Sequence, residues 1–386
     1  MRKIMCFFLV LLMIPINVKA ASPEVNAHAA ILMDAKTGRI LWEKEARKPM
    51  SMASTTKIMT AVLALESGRG NEIVTVSSKA AAAPRMKMFL TSGEKIKLDN
   101  LLLALMLESS NDAAVAIAEH LGGSVQEFCA QMTEKAREIG AKDTIFVTPN
   151  GLDADDHHST AYDLALIARY ALEVPGFIKL TNTGSASFSS DKRSYSMNNK
   201  NRLLNEYPGA NGVKTGFTNK AGHCFVGAAK RDDMQLISVV LASGWGGQGR
   251  SRKWVDTKAI LNYGFGNFTY HTIIEEGQPA GSLAVTRSRT EGLEYVYDTG
   301  LTLPLGQDEK TSIELKVPYS VQAPVAKGEA VGEALVYING EQYTAIALSV
   351  TDGADRHDLK TSMEKVIMQW FSQVITTPPS LTLPEF

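Results

Sequence analysis

From Thr55 to Leu65 the apolar residues Ile58, Val62 and Leu65 fall on one face at helical spacing, and no Gly or Pro intervenes before Gly68. This period predicts a helix with Ser54 in or just before its first turn. Further helices are predicted over 98–107, 113–121, 125–139, 160–172 and 252–265, with Gly122-Gly123 and Gly140 as stop signals. Glu108-Ser109-Ser110-Asn111-Asp112 interrupts the apolar run between two of them and reads as a loop with a fresh N-cap.

Strand-like runs occupy 29–33, 39–42, 72–76, 186–188, 205–212, 213–218, 224–230 and 236–242. Leu236-Ile-Ser-Val-Val-Leu241 is dense in β-branched residues, as a central sheet strand would be. Trp245-Gly-Gly-Gln-Gly249 reads as a flexible loop. Beyond Asn267 the pattern turns strand-rich, and Asn339-Gly340 between two alternating runs is a strong hairpin signal. The predicted organisation is a processing segment over 1–20, a catalytic domain over 21–270, a small β domain over 271–357 and a helix with tail over 358–386.

Composition narrows the class. The chain has 386 residues, with 40 Lys+Arg against 41 Asp+Glu, so no overall basic field exists to hold nucleic acid. Arg2 and Lys3 precede an apolar run from Ile4 to Ile16, and Val18-Lys19-Ala20 suits a cut after Ala20. This is the form of a secretory signal peptide, too short to span a bilayer. Cys6 lies within the apolar run, which argues against a lipoprotein anchor. Cys129 and Cys224 are then the cysteines of the exported chain and read as two free, partly buried thiols.

The candidate chemistry lies in three short motifs. Ser54-Thr-Thr-Lys57 places a hydroxyl and an amine at i and i+3 on a helix, on one face and within reach of each other. A serine hydroxyl needs a base to become a nucleophile, and a lysine can serve only when neutral. Alone, the motif also describes a capped helix with a solvated lysine. Ser109-Ser110-Asn111 follows, and then Lys214-Thr215-Gly216, at the start of a strand pattern that runs into Phe217. This order matches serine acyl-transfer enzymes with an S-x-x-K nucleophile. An earlier triplet, Lys36-Thr37-Gly38, is explained as a hairpin turn. His157-His158, beside Asp153, Asp155 and Asp156, reads as a solvated loop and not a metal site, because no further ligand stands at suitable spacing.

With these motifs the sequence resembles the low-molecular-mass penicillin-binding D-alanyl-D-alanine carboxypeptidases. The resemblance extends through Ala53-Ser-Thr-Thr-Lys57-Ile-Met-Thr-Ala61, Ser110-Asn-Asp-Ala113, Thr148-Pro-Asn-Gly-Leu152, Ser159-Thr-Ala-Tyr-Asp163, Gly212-Val-Lys-Thr-Gly-Phe-Thr218, Ala221-Gly-His-Cys224 and Asn262-Tyr-Gly-Phe265. Lys327-Gly-Glu-Ala-Val-Gly332 resembles part of the family's C-terminal β domain. The implied fold is α+β: a β-lactamase/DD-peptidase-like domain, with an antiparallel sheet and helices, followed by a small all-β domain. The implied substrate is the peptidoglycan stem peptide ending in D-Ala-D-Ala, with β-lactams as acylating inhibitors and no metal or organic cofactor. Ser54 is then the nucleophile, Lys57 its base and Ser109 a proton relay. Asn111, Lys214, Thr215, Gly216 and Phe217 bind substrate, with the Ser54 and Phe217 amides as the oxyanion hole. One departure concerns the closing helix. Lys253 stands where the family often has arginine before an aromatic, and Arg250 and Arg252 are further candidates for the substrate carboxylate.

Two rival readings share parts of this pattern. A serine β-lactamase of the related kind needs a Glu-x-x-Leu-Asn loop, and Asn201-Arg-Leu-Leu-Asn205 has Asn in place of that Glu. A non-catalytic penicillin-binding wall protein would not need all three motifs intact. At the C-terminus Met363, Val366, Ile367, Trp370, Phe371, Val374 and Ile375 form an apolar stripe at helical period. Such a helix can lie in a membrane interface or dock on the β domain. The family resemblance implies the former, on the outer face of the cytoplasmic membrane or in the cell-wall space.

Overall fold

The computed structural model describes residues 22–376 apart from Arg85 and Asp358. The signal-peptide expectation for 1–20 therefore lies outside the described residues. Two compact units divide at Phe268/Thr269.

The first unit is built on a five-stranded antiparallel sheet. Its spatial order is Ile40–Lys44, Ala29–Asp34, Met234–Leu241, Gly222–Arg231 and Ala210–Thr218. The β-branched Leu236–Leu241 run lies in the middle strand, as expected. Successive residues of a strand face opposite sides, and both sides of this sheet are covered. The helix Gly246–Asn267 packs on one, where Gly264 lies against Leu32 and Leu236, and Trp254 meets Phe225 edge to face at 4.7 Å. Ile31, Met33, Val226, Ile237 and Val239 belong to the larger core with the helices Lys57–Glu66, Asn111–Gly122, Val125–Ile139 and Ala161–Glu173. Ser124 and Thr160 cap the last two through the Glu127 and Asp163 amides, the local chemistry that starts a helix after a loop.

The Lys36 triplet is a turn. Asp34 accepts hydrogen bonds from the Thr37 amide at 2.8 Å and the Thr37 hydroxyl at 2.6 Å, and Gly38 adopts φ 74°. Three expectations need correction. Residues 205–212 are not one strand: Leu203–Glu206 is a short helix, and the strand begins at Ala210. The 245–249 segment is not a free loop, because the last helix begins at Gly246. Its glycines permit close packing: a β-carbon on Gly249 would stand 2.4 Å from the Gly244 carbonyl carbon and 2.8 Å from the His223 ring. The 108–112 loop shrinks to Ser109 and Ser110, because Asn111 and Asp112 already belong to the following helix. The Asp112 carboxylate accepts the Met88 and Leu90 amides at 3.1 and 3.0 Å and ties the preceding segment to that helix.

The second unit has a six-stranded sheet in the order Thr311–Lys316, Ala330–Ile338, Glu341–Val350, Gly292–Tyr297, Pro279–Thr286 and Ser320–Gln322. All its pairs are antiparallel except the last. Leu283, Leu293, Tyr295, Val336 and Leu348 form much of its core. Asn339 and Gly340 both have positive φ and close the predicted hairpin, with Ile338 paired to Glu341. The helix Leu359–Thr376 follows. No helix among the described residues is long and apolar enough to cross a membrane.

Candidate active site

Ser54 stands on a single 3₁₀ turn, Ala53–Thr56, and the α-helix begins at Lys57. The turn is held by its own side chains. The Thr55 hydroxyl donates to the Met52 carbonyl at 2.7 Å, and the Thr56 hydroxyl to the Ala53 carbonyl at 2.9 Å. Ala53 has φ 49°, a left-handed conformation that an alanine adopts only when its surroundings impose it. Two glycines impose them. A β-carbon on Gly216 would come within 3.0–3.1 Å of Met52 O, Ala53 Cβ and Ser54 N, and one on Gly151 would overlap the Ala53 carbonyl oxygen.

Lys57 is completely buried. Its Nζ reaches Ser54 Oγ at 2.9 Å, Asn111 Oδ1 at 2.8 Å and the Asn150 carbonyl oxygen. Burial holds its ammonium well below the ordinary lysine range; the charge of Lys214 adds to the shift and Asp112 opposes it. A neutral amine has two protons. In the neutral form, with these on Asn111 Oδ1 and the Asn150 carbonyl oxygen, which only accept, the lone pair would face the Ser54 hydroxyl.

Asn111 is fixed by an Nδ2 bond to the Pro84 carbonyl at 3.3 Å and by its own amide to Met86 O at 2.7 Å. Ser109 lies two residues before it, buried, at φ 66° on the joint after the π-helical turn Ala104–Glu108. Its side chain takes no part in the bonds joining Ser54, Lys57, Asn111 and Asn150.

Lys214, Thr215 and Gly216 lie on the last strand of the sheet, which packs against the Ser54 turn. Lys214 is buried and donates to the Thr215 carbonyl at 3.1 Å. Burial lowers its pKa to about 7, Lys200 and Lys253 contribute, and Glu108 opposes them. Phe217 is half exposed and stacks on His223 with ring centres 4.3 Å apart.

The cations near the start of the last helix separate clearly. Arg250 is exposed, and Arg252 leans on Asp256 with Nε 3.6 Å from its carboxylate. Lys253 is buried, with Nζ 3.4 Å from His223 Nδ1 and 4.9 Å above the Trp254 ring. His223 Nε2 is 3.1 Å from the Gly246 carbonyl, which assigns the ring proton to Nε2 and leaves Nδ1 to accept from Lys253. Burial brings Lys253 down to about 8.

Several participants were not singled out by residue type. Asn150 acts through its main-chain oxygen, so only the Pro149-Asn150-Gly151 turn hinted at it. His157 is a correction: it is buried, not solvated. Its Nδ1 accepts the Val147 amide at 3.0 Å, and its Nε2 lies 3.0 Å from Thr56 Oγ1. Burial lowers its pKa to about 4 and keeps it neutral. Among the described residues no group of three or more acidic, His or Cys side chains is arranged to hold a metal ion. Cys129 and Cys224 are free and buried, and burial pushes their thiols up to about 11 and 12.

Comparison with known proteins agrees on a family. Residues 16–244 match the model of D-alanyl-D-alanine carboxypeptidases, and residues 268–354 match the C-terminal domain of penicillin-binding protein 5. The chain is 29% identical to D-alanyl-D-alanine carboxypeptidase DacF of Bacillus subtilis, over 89% of this chain and 90% of that one. It is 30% identical to DacC of Escherichia coli, over 91% and 90%. Among solved structures, penicillin-binding protein 5 of Haemophilus influenzae aligns with TM-score 0.74 at 28% identity, covering 87% of this chain and all of that one. DacD of Francisella tularensis aligns with TM-score 0.73 at 25% identity, covering 90% and 98%. The motif order, the Ser54-Lys57 pair on a helical turn packed against an antiparallel sheet and the appended β domain thus meet in one conclusion: the chain belongs to the serine-type D-alanyl-D-alanine carboxypeptidase family of low-molecular-mass penicillin-binding proteins.

Proposed function

We propose that Ser54 is the acylated residue and Lys57 the base that activates it in removal of the terminal D-alanine from peptidoglycan stem peptides. The observation that carries this reading is the 2.9 Å approach of Lys57 Nζ to Ser54 Oγ, on a fully buried lysine with two further acceptors. Ser54 Oγ attacks the penultimate D-Ala carbonyl while its proton passes to Lys57. The Ser54 and Phe217 amides receive the developing oxyanion. Collapse breaks the C–N bond, and Ser109 relays the proton to the departing D-alanine amine. Water then cleaves the ester and frees Ser54. Asn111 orients the peptide, and Lys214 and Thr215 hold the terminal carboxylate. Lys253 is the buried cation that supports them. Gly216 lets the substrate lie against the strand edge.

The assignment is tested by incubating the protein with a defined pentapeptide and with labelled penicillin. Ser54→Ala is expected to abolish both D-alanine release and labelling. A penicilloyl adduct on another residue would overturn it. Rapid release of the penicilloyl group without D-alanine release would instead mark a β-lactamase. Labelling without D-alanine release would mark a binding protein.

The catalytic unit corresponds to residues 21–270 and the β domain to 271–357, in a protein exported by the 1–20 segment. The segment 358–386 holds it at a membrane surface. Met363, Val366, Ile367, Trp370 and Phe371 are 48–64% exposed, so the β domain does not cover the stripe. An exposed apolar face that includes Trp370 suits the lipid interface. The side chains of Val374 and Ile375 lie outside the described residues. Deleting 360–386 is expected to release active enzyme from membranes. Failure of the full chain to bind liposomes would rule the anchor out.

A further inference from the structure

We propose that His157 is a positioning residue that aims the Ser54 amide at the oxyanion. The inference rests on Ser54 being the nucleophile and assigns a role to a side chain that touches neither substrate nor Lys57.

A directed chain of hydrogen bonds connects the two. The Val147 amide donates to His157 Nδ1 at 3.0 Å. An accepting Nδ1 requires the ring proton to sit on Nε2. Nε2 therefore donates to Thr56 Oγ1 at 3.0 Å, and Thr56 donates its own proton to the Ala53 carbonyl at 2.9 Å. Each group has one direction open to it, and the chain ends on the peptide between Ala53 and Ser54.

That peptide is planar, so fixing the direction of its carbonyl also fixes the direction of its N–H. The N–H is the Ser54 donor. Ala53 holds the peptide in place at φ 49°, a conformation an alanine leaves readily unless restrained. Gly151 closes on the same carbonyl from the loop that ends at His157. A second tie joins this loop to the helix, since Thr60 Oγ1 donates to Pro149 O at 2.6 Å. His157 is thus the link between the 147–157 segment and the plane of the oxyanion donor.

A core-filling role and a positioning role separate by experiment. His157→Ala is compared with His157→Gln, whose amide can donate to Thr56 and accept from Val147. Penicillin acylation is resolved into the non-covalent dissociation constant and the acylation rate constant, well below the melting temperature of each variant. His157→Ala is expected to slow acylation about 10- to 100-fold, less than the roughly 10²–10³-fold lost when an oxyanion donor is removed outright, because the donor is misaimed and not deleted. The dissociation constant should stay within about twofold, because the lost interaction acts in the transition state. His157→Gln should recover most of the rate. Thr56→Val leaves the imidazole in place, so it serves if His157→Ala does not fold. It should slow acylation similarly, and the double variant should be little slower than either single one, as members of one chain are not additive. Mass spectrometry of the adduct keeps the nucleophile assignment separate: labelling elsewhere than Ser54 overturns that reading itself. With Ser54 labelled, an unchanged acylation constant in His157→Ala or Thr56→Val, or equal loss in His157→Gln and His157→Ala, would overturn the positioning role.

Discussion

Gly151 lies against Ala53 so closely that a β-carbon on it would stand 1.9 Å from the Ala53 carbonyl oxygen and 2.9 Å from the Ser54 amide nitrogen. Gly151 also has φ 81°, where a side chain adds strain of its own. The atoms in the way are backbone and belong to the turn that carries Ser54. Gly151→Ala is expected to cost about 1–3 kcal/mol of stability. It should also slow penicillin acylation by about 10-fold or more, since the turn must shift. Denaturant melts and acylation kinetics check both. A variant with normal rate and stability would show that the turn yields without consequence.

Lys214 ties stability to pH. Its pKa falls from 10.5 to about 7 on folding. Between those values the unfolded lysine binds a proton that the folded one does not, so stability rises with pH. The penalty is absent above about 10.5, grows as pH falls and is complete below about 7. Lys200, Lys253 and Glu108 face the group, and burial is the largest cause. At about 1.4 kcal/mol per unit, Lys214→Met is expected to stabilise the protein by about 2–4 kcal/mol at pH 7, with the gain shrinking towards pH 10. Urea melts across that range check it. A gain that grew with pH would contradict the sign. The same variant should lose most of its acylation rate.

The Lys36 triplet repeats the motif without the site. It is a turn whose Thr37 is held by Asp34, and Arg169 donates to the carbonyls of Ala35 and Lys36 at 2.7 and 3.1 Å. Lys36→Ala is expected to leave acylation unchanged within about twofold, as for an ordinary surface substitution. Lys214→Ala should weaken it strongly. Equal losses would mean that the first triplet takes part.

These cases show which features a sequence exposes. The hairpins at Gly38 and at Asn339-Gly340 were legible because turn chemistry is local. The Ser54, Asn111 and Lys214 motifs were legible because each uses a side chain at fixed spacing. Asn150 was not, because a main-chain oxygen carries no residue signature. His157 reads as solvated because charged neighbours surround it in sequence, while Thr56, which meets its Nε2, lies 101 residues away. The Gly246–Gly249 segment looked flexible, yet its glycines serve close contact with Gly244 and His223. Such contacts depend on the assembled sheet and not on any local pattern.

The proposed activation of Ser54 requires Lys57 to be neutral, and burial holds its pKa well below the ordinary lysine value. Its depressed pKa means that the basic form persists as pH falls from the ordinary lysine range, until Lys57 protonates and acylation fails. Arginine keeps a positive charge but is effectively always protonated. The direct measurement is therefore the single-turnover rate of penicillin acylation of Lys57→Arg at pH 7, in folded protein. If Lys57 is the base, the rate should fall about 10²-fold or more. A rate near that of the unsubstituted protein would contradict it and reduce Lys57 to a fixed charge.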